Sequence, residues 1–217
     1  MIRNILIGLG FWLLVFLPSS IIGGFLSRTK LGKSVIIVST TTQILFIVLS
    51  ILVILFFFKA DFKSFGFSIN IPYTIDSLII SFPIAILLAF LSSFLTRSES
   101  YKPQFLPQNP LHMILLALIL APLGEEMVFR GILESYLLQN TNTWIAVVFP
   151  AILFALTHTV PFSSAPKKVL MLILINASIL GILAGYYRAI GRSLTPAIAI
   201  HATFNLAGII VRKILMS

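Results

Sequence analysis

Residues 111–138 read LHMILLALILAPLGEEMVFRGILESYLL, and this stretch decides what kind of molecule the chain is. As a helix rising 1.5 Å per residue, it is long enough to cross about 30 Å of hydrocarbon. Yet it carries Glu125, Glu126, Arg130 and Glu134. A charge at the bilayer centre costs roughly 2.5–3.5 kcal/mol by insertion scales, so it is tolerated where it faces protein or a polar cavity. The stretch therefore reads as a membrane helix with a polar interior face.

The rest of the chain agrees. Of 217 residues, 59% are hydrophobic and 10% charged, against about 25% charged in ordinary soluble domains. Mean hydropathy is +1.09. Seven apolar stretches separate, at 5–25, 34–58, 74–95, 111–138, 144–158, 169–187 and 194–215. The first exceeds the usual length of a signal-peptide core and lacks an A-x-A-like cleavage site, so it is read as a retained span. The fifth is short for a crossing. The loops are too short to fold as domains, and no internal repeat is visible. The expected fold is all-α, a polytopic transmembrane helical bundle of about seven spans. It forms one membrane domain over 1–217, with three N-terminal spans in 1–95 and a functional core in 111–217.

The net charge of +9 comes from short basic clusters between apolar runs, which fits lipid headgroups and topology rather than nucleic acid. With seven spans, one side holds Arg3, Lys59, Lys63, Arg188 and Arg192. The other holds Arg28, Lys30, Lys33, Arg97, Lys102, Lys167, Lys168, Arg212 and Lys213. The positive-inside rule then puts the C-terminus in the cytoplasm of a multi-pass protein of the cell membrane.

Within the fourth stretch, Glu126 and Arg130 stand at i and i+4, the favourable order for an acidic–basic pair. Glu125 points about 100° away and is free to address another neighbour. Glu134 lies one turn beyond Arg130 and extends the ladder. The fifth stretch ends in Phe154-Ala155-Leu156-Thr157-His158. The seventh carries His201 and Asn205 at i and i+4, on one face. Singly, each has a plain structural reading: an ion pair that fixes packing, an interfacial His, a helix contact. Together they make a hydrolase kit: a carboxylate to take a water proton, two imidazoles to hold the water or a metal, and an amide to steady developing charge. Cysteine is absent, H-E-x-x-H and G-x-S-x-G are absent, and the only aspartates, Asp61 and Asp76, lie in a loop and near a span start.

The three elements, E-E-x-x-x-R at Glu125–Arg130, F-x-x-x-H at Phe154–His158 and H-x-x-x-N at His201–Asn205, resemble the signatures of the CAAX protease and bacteriocin-processing (CPBP, or Abi) family. Gly181-x-x-x-Gly185 followed by Tyr186-Tyr187-Arg188 resembles that family too. The resemblance covers roughly 111–210. It implies an intramembrane endopeptidase acting on a peptide or membrane-protein substrate among membrane lipids. It implies Glu125 as the water-activating base, with His158, His201 and Asn205 completing the site and Glu126 and Arg130 supporting it. Glu125, His158 and His201 could also bind zinc with an open fourth position, and a metal-free Glu/His-activated water would use the same residues. The rival readings are a non-catalytic bacteriocin self-immunity or scaffold protein and, because buried carboxylates also build proton relays, a transporter.

Overall fold

The structure is a computed structural model that describes residues 1–97, 99, 101, 103 and 106–216; the chain is helical, with no strand among the described residues. Six helices are long and apolar enough to cross a membrane: α1 (Ile2–Ser27), α2 (Val35–Phe57), α3 (Ile71–Leu95), α4 (Pro110–Asn140), α6 (Lys167–Gly191) and α7 (Leu194–Met216). The shorter α5 (Thr143–Thr157) lies between α4 and α6. Polar caps set several starts: Asn70, Asn109 and Asn142 accept from backbone N–H groups of the first turns of α3, α4 and α5. The lipid-facing residues stay apolar and exposed, as bilayer hydrocarbon requires.

Loop contacts show that the seven helices alternate in direction. At the end carrying Met1, the Asn4 side chain donates to Asn140 O at 2.8 Å. At that same end the 58–70 loop binds the α6–α7 turn: Leu194 N donates to Gly66 O at 2.9 Å and Asn70 Nδ2 to Gly191 O at 2.9 Å. At the opposite end the rings of Tyr101 and Phe162 meet at 6.4 Å. The short α5 thus runs from one end of the bundle to the other, as a seven-span reading requires. At 15 residues it is about 22 Å long, less than the hydrocarbon thickness. Its C-terminal residue and His158 consequently stop inside the bundle's depth.

One of the basic residues assigned to the Met1 side proves to be internal. Arg188 is 3% exposed, with its guanidinium donating to Ser135 Oγ at 2.6 Å and to Ser64 O at 3.1 Å. The 58–70 loop folds over the end of α6 and removes this cation from the interface. At Gly66, whose φ is +86°, a Cβ would lie 2.6 Å from Arg188 Nε, so glycine is needed on both counts. Lys102, counted on the other side, lies outside the described residues.

The chemistry-bearing helix α4 is not a uniform α-helix. Two π-helical stretches, Leu116–Leu120 and Met127–Glu134, bracket the α-helical Ala121–Glu126. Pro122 gives a reason for the first. Ala121 N donates to Leu116 O, five residues back, and the next carbonyl along, Ala117 O, would look to residue 122. Proline has no N–H to give. Asn205 Nδ2 of α7 supplies the missing donor at 2.8 Å, satisfying a carbonyl that lipid could not. Asn205→Leu is therefore expected to destabilise the protein by about 1–3 kcal/mol, the cost of a stranded buried polar group. Thermal unfolding in detergent measures it, and an unchanged midpoint would contradict the role.

Candidate active site

The Glu126–Arg130–Glu134 ladder is fully buried. Arg130 Nη1 donates to Glu126 Oε1 at 3.1 Å, and Arg130 Nε lies 3.9 Å from Glu134 Oε2. Arg130 Nη2 donates across to Gly181 O on α6 at 2.9 Å. The face of Phe154 lies against the same guanidinium, 4.9 Å from ring centre to Cζ. With Arg188, two cations thus meet two carboxylates inside the bundle, which offsets desolvation that an unpaired buried charge could not bear.

Glycines make the ladder possible. A Cβ at Gly181 would lie 2.9 Å from Ala151 Cα, and one at Gly185 would lie 2.8 Å from Glu134 Oε2. The Gly181-x-x-x-Gly185 spacing therefore brings α6 against α5 and leaves room for the Glu134 carboxylate. Gly181→Val should push α6 away and cost both melting temperature and the Arg130–Gly181 bond. A variant with wild-type melting behaviour would rule this packing out.

Glu125 faces elsewhere, as its rotation around α4 requires. Its side chain is 22% exposed, with Oε2 3.9 Å from His201 Nε2. On the other side of the imidazole, His201 Nδ1 lies 2.8 Å from Glu126 Oε1. Paired with Arg130, that carboxylate presents acceptors only, so Nδ1 carries a proton, and the neutral imidazole then turns an Nε2 acceptor toward Glu125. The adjacent acids thus divide: Glu126 orients His201, and Glu125 shares the open side with its Nε2. Two acceptors 3.9 Å apart can be met by one water at about 2.8 Å from each, with an angle at the oxygen of roughly 90°.

His158 caps the C-terminus of α5, half-buried, with Nδ1 2.8 Å from Phe154 O. A carbonyl only accepts, so this nitrogen also carries a proton, and in the neutral imidazole Nε2 is the acceptor. Phe154 touches both imidazoles edge to face, at 4.7 Å from His158 and 5.6 Å from His201 between ring centres. One phenylalanine therefore locates both histidines and the Arg130 guanidinium. Asn205 lies one turn beyond His201, half-buried, with one amide hydrogen committed to Ala117 O. His201 is held by Glu126 rather than by Asn205.

The donor chemistry of Glu125, His158 and His201 would suit zinc. As placed, the three do not gather: among the described residues no three His, Cys, Asp or Glu groups could hold an ion together.

Two contributors have no place in the site as read from the sequence: Gln43 is not singled out there, and Arg188 reads as an interfacial cation beside the glycine pair. Gln43 of α2, 8% exposed, donates from Nε2 to Glu125 Oε1 at 3.2 Å. Arg188 closes the buried charge network. The signal for Gln43 was available: a primary amide within the apolar span α2, just after Ser39-Thr40-Thr41-Thr42, needs a partner in lipid.

The comparisons bear on the same residues. No curated protein and no solved structure matches the chain. The family model described as "Type II CAAX prenyl endopeptidase Rce1-like" matches residues 107–207, which contain all three motifs and the Gly181–Gly185 pair. Residues 107–207 are thus similar to the Rce1-like CAAX endopeptidases of the CPBP family.

Proposed function

We propose that the protein is an intramembrane endopeptidase in which a water, bound between Glu125 and His201, attacks the scissile peptide carbonyl. The family supports a CAAX-type membrane protease in general. The observation that carries the finer reading is the 3.9 Å separation of Glu125 Oε2 and His201 Nε2, with Nδ1 anchored on Glu126. Glu125 takes the water's proton and delivers it to the leaving amine. His201 Nε2 is the second acceptor on that water and aims its lone pair. His158 Nε2 presents a further acceptor beside the site, and the uncommitted N–H of Asn205 is the candidate donor to the oxyanion.

Burial along α4 supports the direction of access. Glu126, Arg130 and Glu134 have no exposed side-chain surface, whereas Glu125 and His158, farther from the Met1 end, are partly exposed. Substrate would enter from the end that carries the C-terminus, the side with more basic residues and hence the proposed cytoplasmic side. The substrate is a peptide or membrane-anchored segment.

Comparative peptidomics of cells expressing wild-type or Glu125→Ala protein tests the proposal. New peptide termini should appear with the wild type and vanish with the variant. Identical profiles would favour the non-catalytic immunity or scaffold reading. Chelation followed by zinc restoration reports separately on an ion: loss and recovery would show that activity needs one, and survival would assign the metal-free route.

A further inference from the structure

We infer that Gln43, on α2 and outside the matched segment 107–207, is a positioning residue for Glu125. The inference rests on the proposed role of Glu125 as the base. Three observations meet at this amide. Its Nε2 donates to Glu125 Oε1 at 3.2 Å, leaving Oε2 to face His201 Nε2. A carboxylate accepts only, so the amide's orientation is fixed by chemistry. Its Oε1 is buried without a protein hydrogen-bond partner, an arrangement that disfavours the folded state. Finally, α4 carries glycine at the point of contact: a Cβ at Gly124 would lie 2.2 Å from Gln43 Oε1 and 3.0 Å from Gln43 O.

A residue serving only packing at this lipid-buried position would be aliphatic, which fills the space and strands no oxygen. What glutamine adds is an N–H donor aimed at one oxygen of Glu125. That bond fixes the carboxylate's rotation, so that Oε2 is the atom turned to the water. Because Glu125 is partly exposed, it would otherwise swing among rotamers and waters. The first three helices thus contribute directly to the site, through one side chain.

The test compares Gln43→Met, which keeps the length and removes the donor, with Gln43→Asn, which keeps the amide but withdraws it by one methylene. Both should lower kcat about tenfold or more, with KM within about twofold, since a misaligned base loses rate rather than substrate affinity. The melting temperature of Gln43→Met should stay level or rise, because the stranded oxygen is gone. Infrared difference spectra supply a readout that needs no substrate. The carboxylate band lost in Glu125→Gln is assigned to Glu125, and that band should shift in both Gln43 variants. Wild-type kcat in Gln43→Met, an unmoved Glu125 band, or a fall in melting temperature that accounts for the lost activity would each overturn the inference. Failure of the underlying reading looks different: Glu125→Gln itself would retain wild-type turnover, whatever the band does.

Discussion

Glu125→Gln is expected to abolish hydrolysis while leaving a folded protein at wild-type abundance. The exchange is nearly isosteric, and Glu125 is partly exposed: its neighbours are Gln43 and the open side of His201. An amide there can still hydrogen-bond but cannot take a proton from water. General-base catalysis supplies typically 10²–10⁴-fold, so turnover should fall by at least about a hundredfold. The control is Glu126→Gln, which weakens the hold on both His201 Nδ1 and Arg130 and so should cost stability together with activity. A dead but well-folded Glu126→Gln beside an active Glu125→Gln would reverse the two roles.

Arg130→Ala is expected to have the largest effect on stability. Its guanidinium serves Glu126, Glu134 and Gly181 O at once, with no exposed surface on any of the three charged side chains. Removing it takes the guanidinium from two buried carboxylates and leaves the His201 Nδ1 contact and Arg188 to offset them. Breaking a buried pair in this way costs about 3–5 kcal/mol, enough to reduce membrane yield and monodispersity. Arg130→Lys should recover only part of the loss, because a point charge cannot reproduce the guanidinium's fork toward a carboxylate and a carbonyl together. Yield and thermal unfolding in detergent measure both variants. Wild-type melting of Arg130→Ala would mean that the ladder does not hold the bundle.

Which parts of this site could be read from the sequence follows from the range of each interaction. The Glu126–Arg130 pair and the outward turn of Glu125 are set by i, i+4 spacing within one helix, and the structure shows both. The seven-helix bundle was legible for a similar reason: each apolar run reports its own burial in lipid. What was not legible depends on packing between distant segments. Arg188 reads as an interfacial charge because it sits at the end of a span, and only the 58–70 loop folded across it makes it internal. The partner of Asn205 could not be guessed from its i+4 relation to His201. It is set by Pro122, which leaves Ala117 O without a donor on a different helix. Gln43 stands out as an amide in a membrane span, but its partner was hidden because it lies 82 positions away. The widening of α4 into π turns on both sides of Gly124-Glu125-Glu126 is likewise a response to tertiary contacts and to proline, and such turns recur at functional sites.

The central claim is that water, not a side chain, attacks the peptide bond. The chain has no cysteine. Ser135, next to Glu134, is committed to Arg130 O at 2.8 Å and to Arg188. Thr157, beside His158, gives its hydroxyl to Phe154 O at 2.7 Å. Neither is poised beside a base as a nucleophile would be. The direct measurement is single-turnover cleavage by the purified protein in ¹⁸O-water, with rapid-quench mass spectrometry of both peptide and enzyme. The account predicts ¹⁸O in the newly formed carboxylate and no covalent adduct on the enzyme at any time point. An acyl-enzyme trapped on a serine or threonine would contradict it.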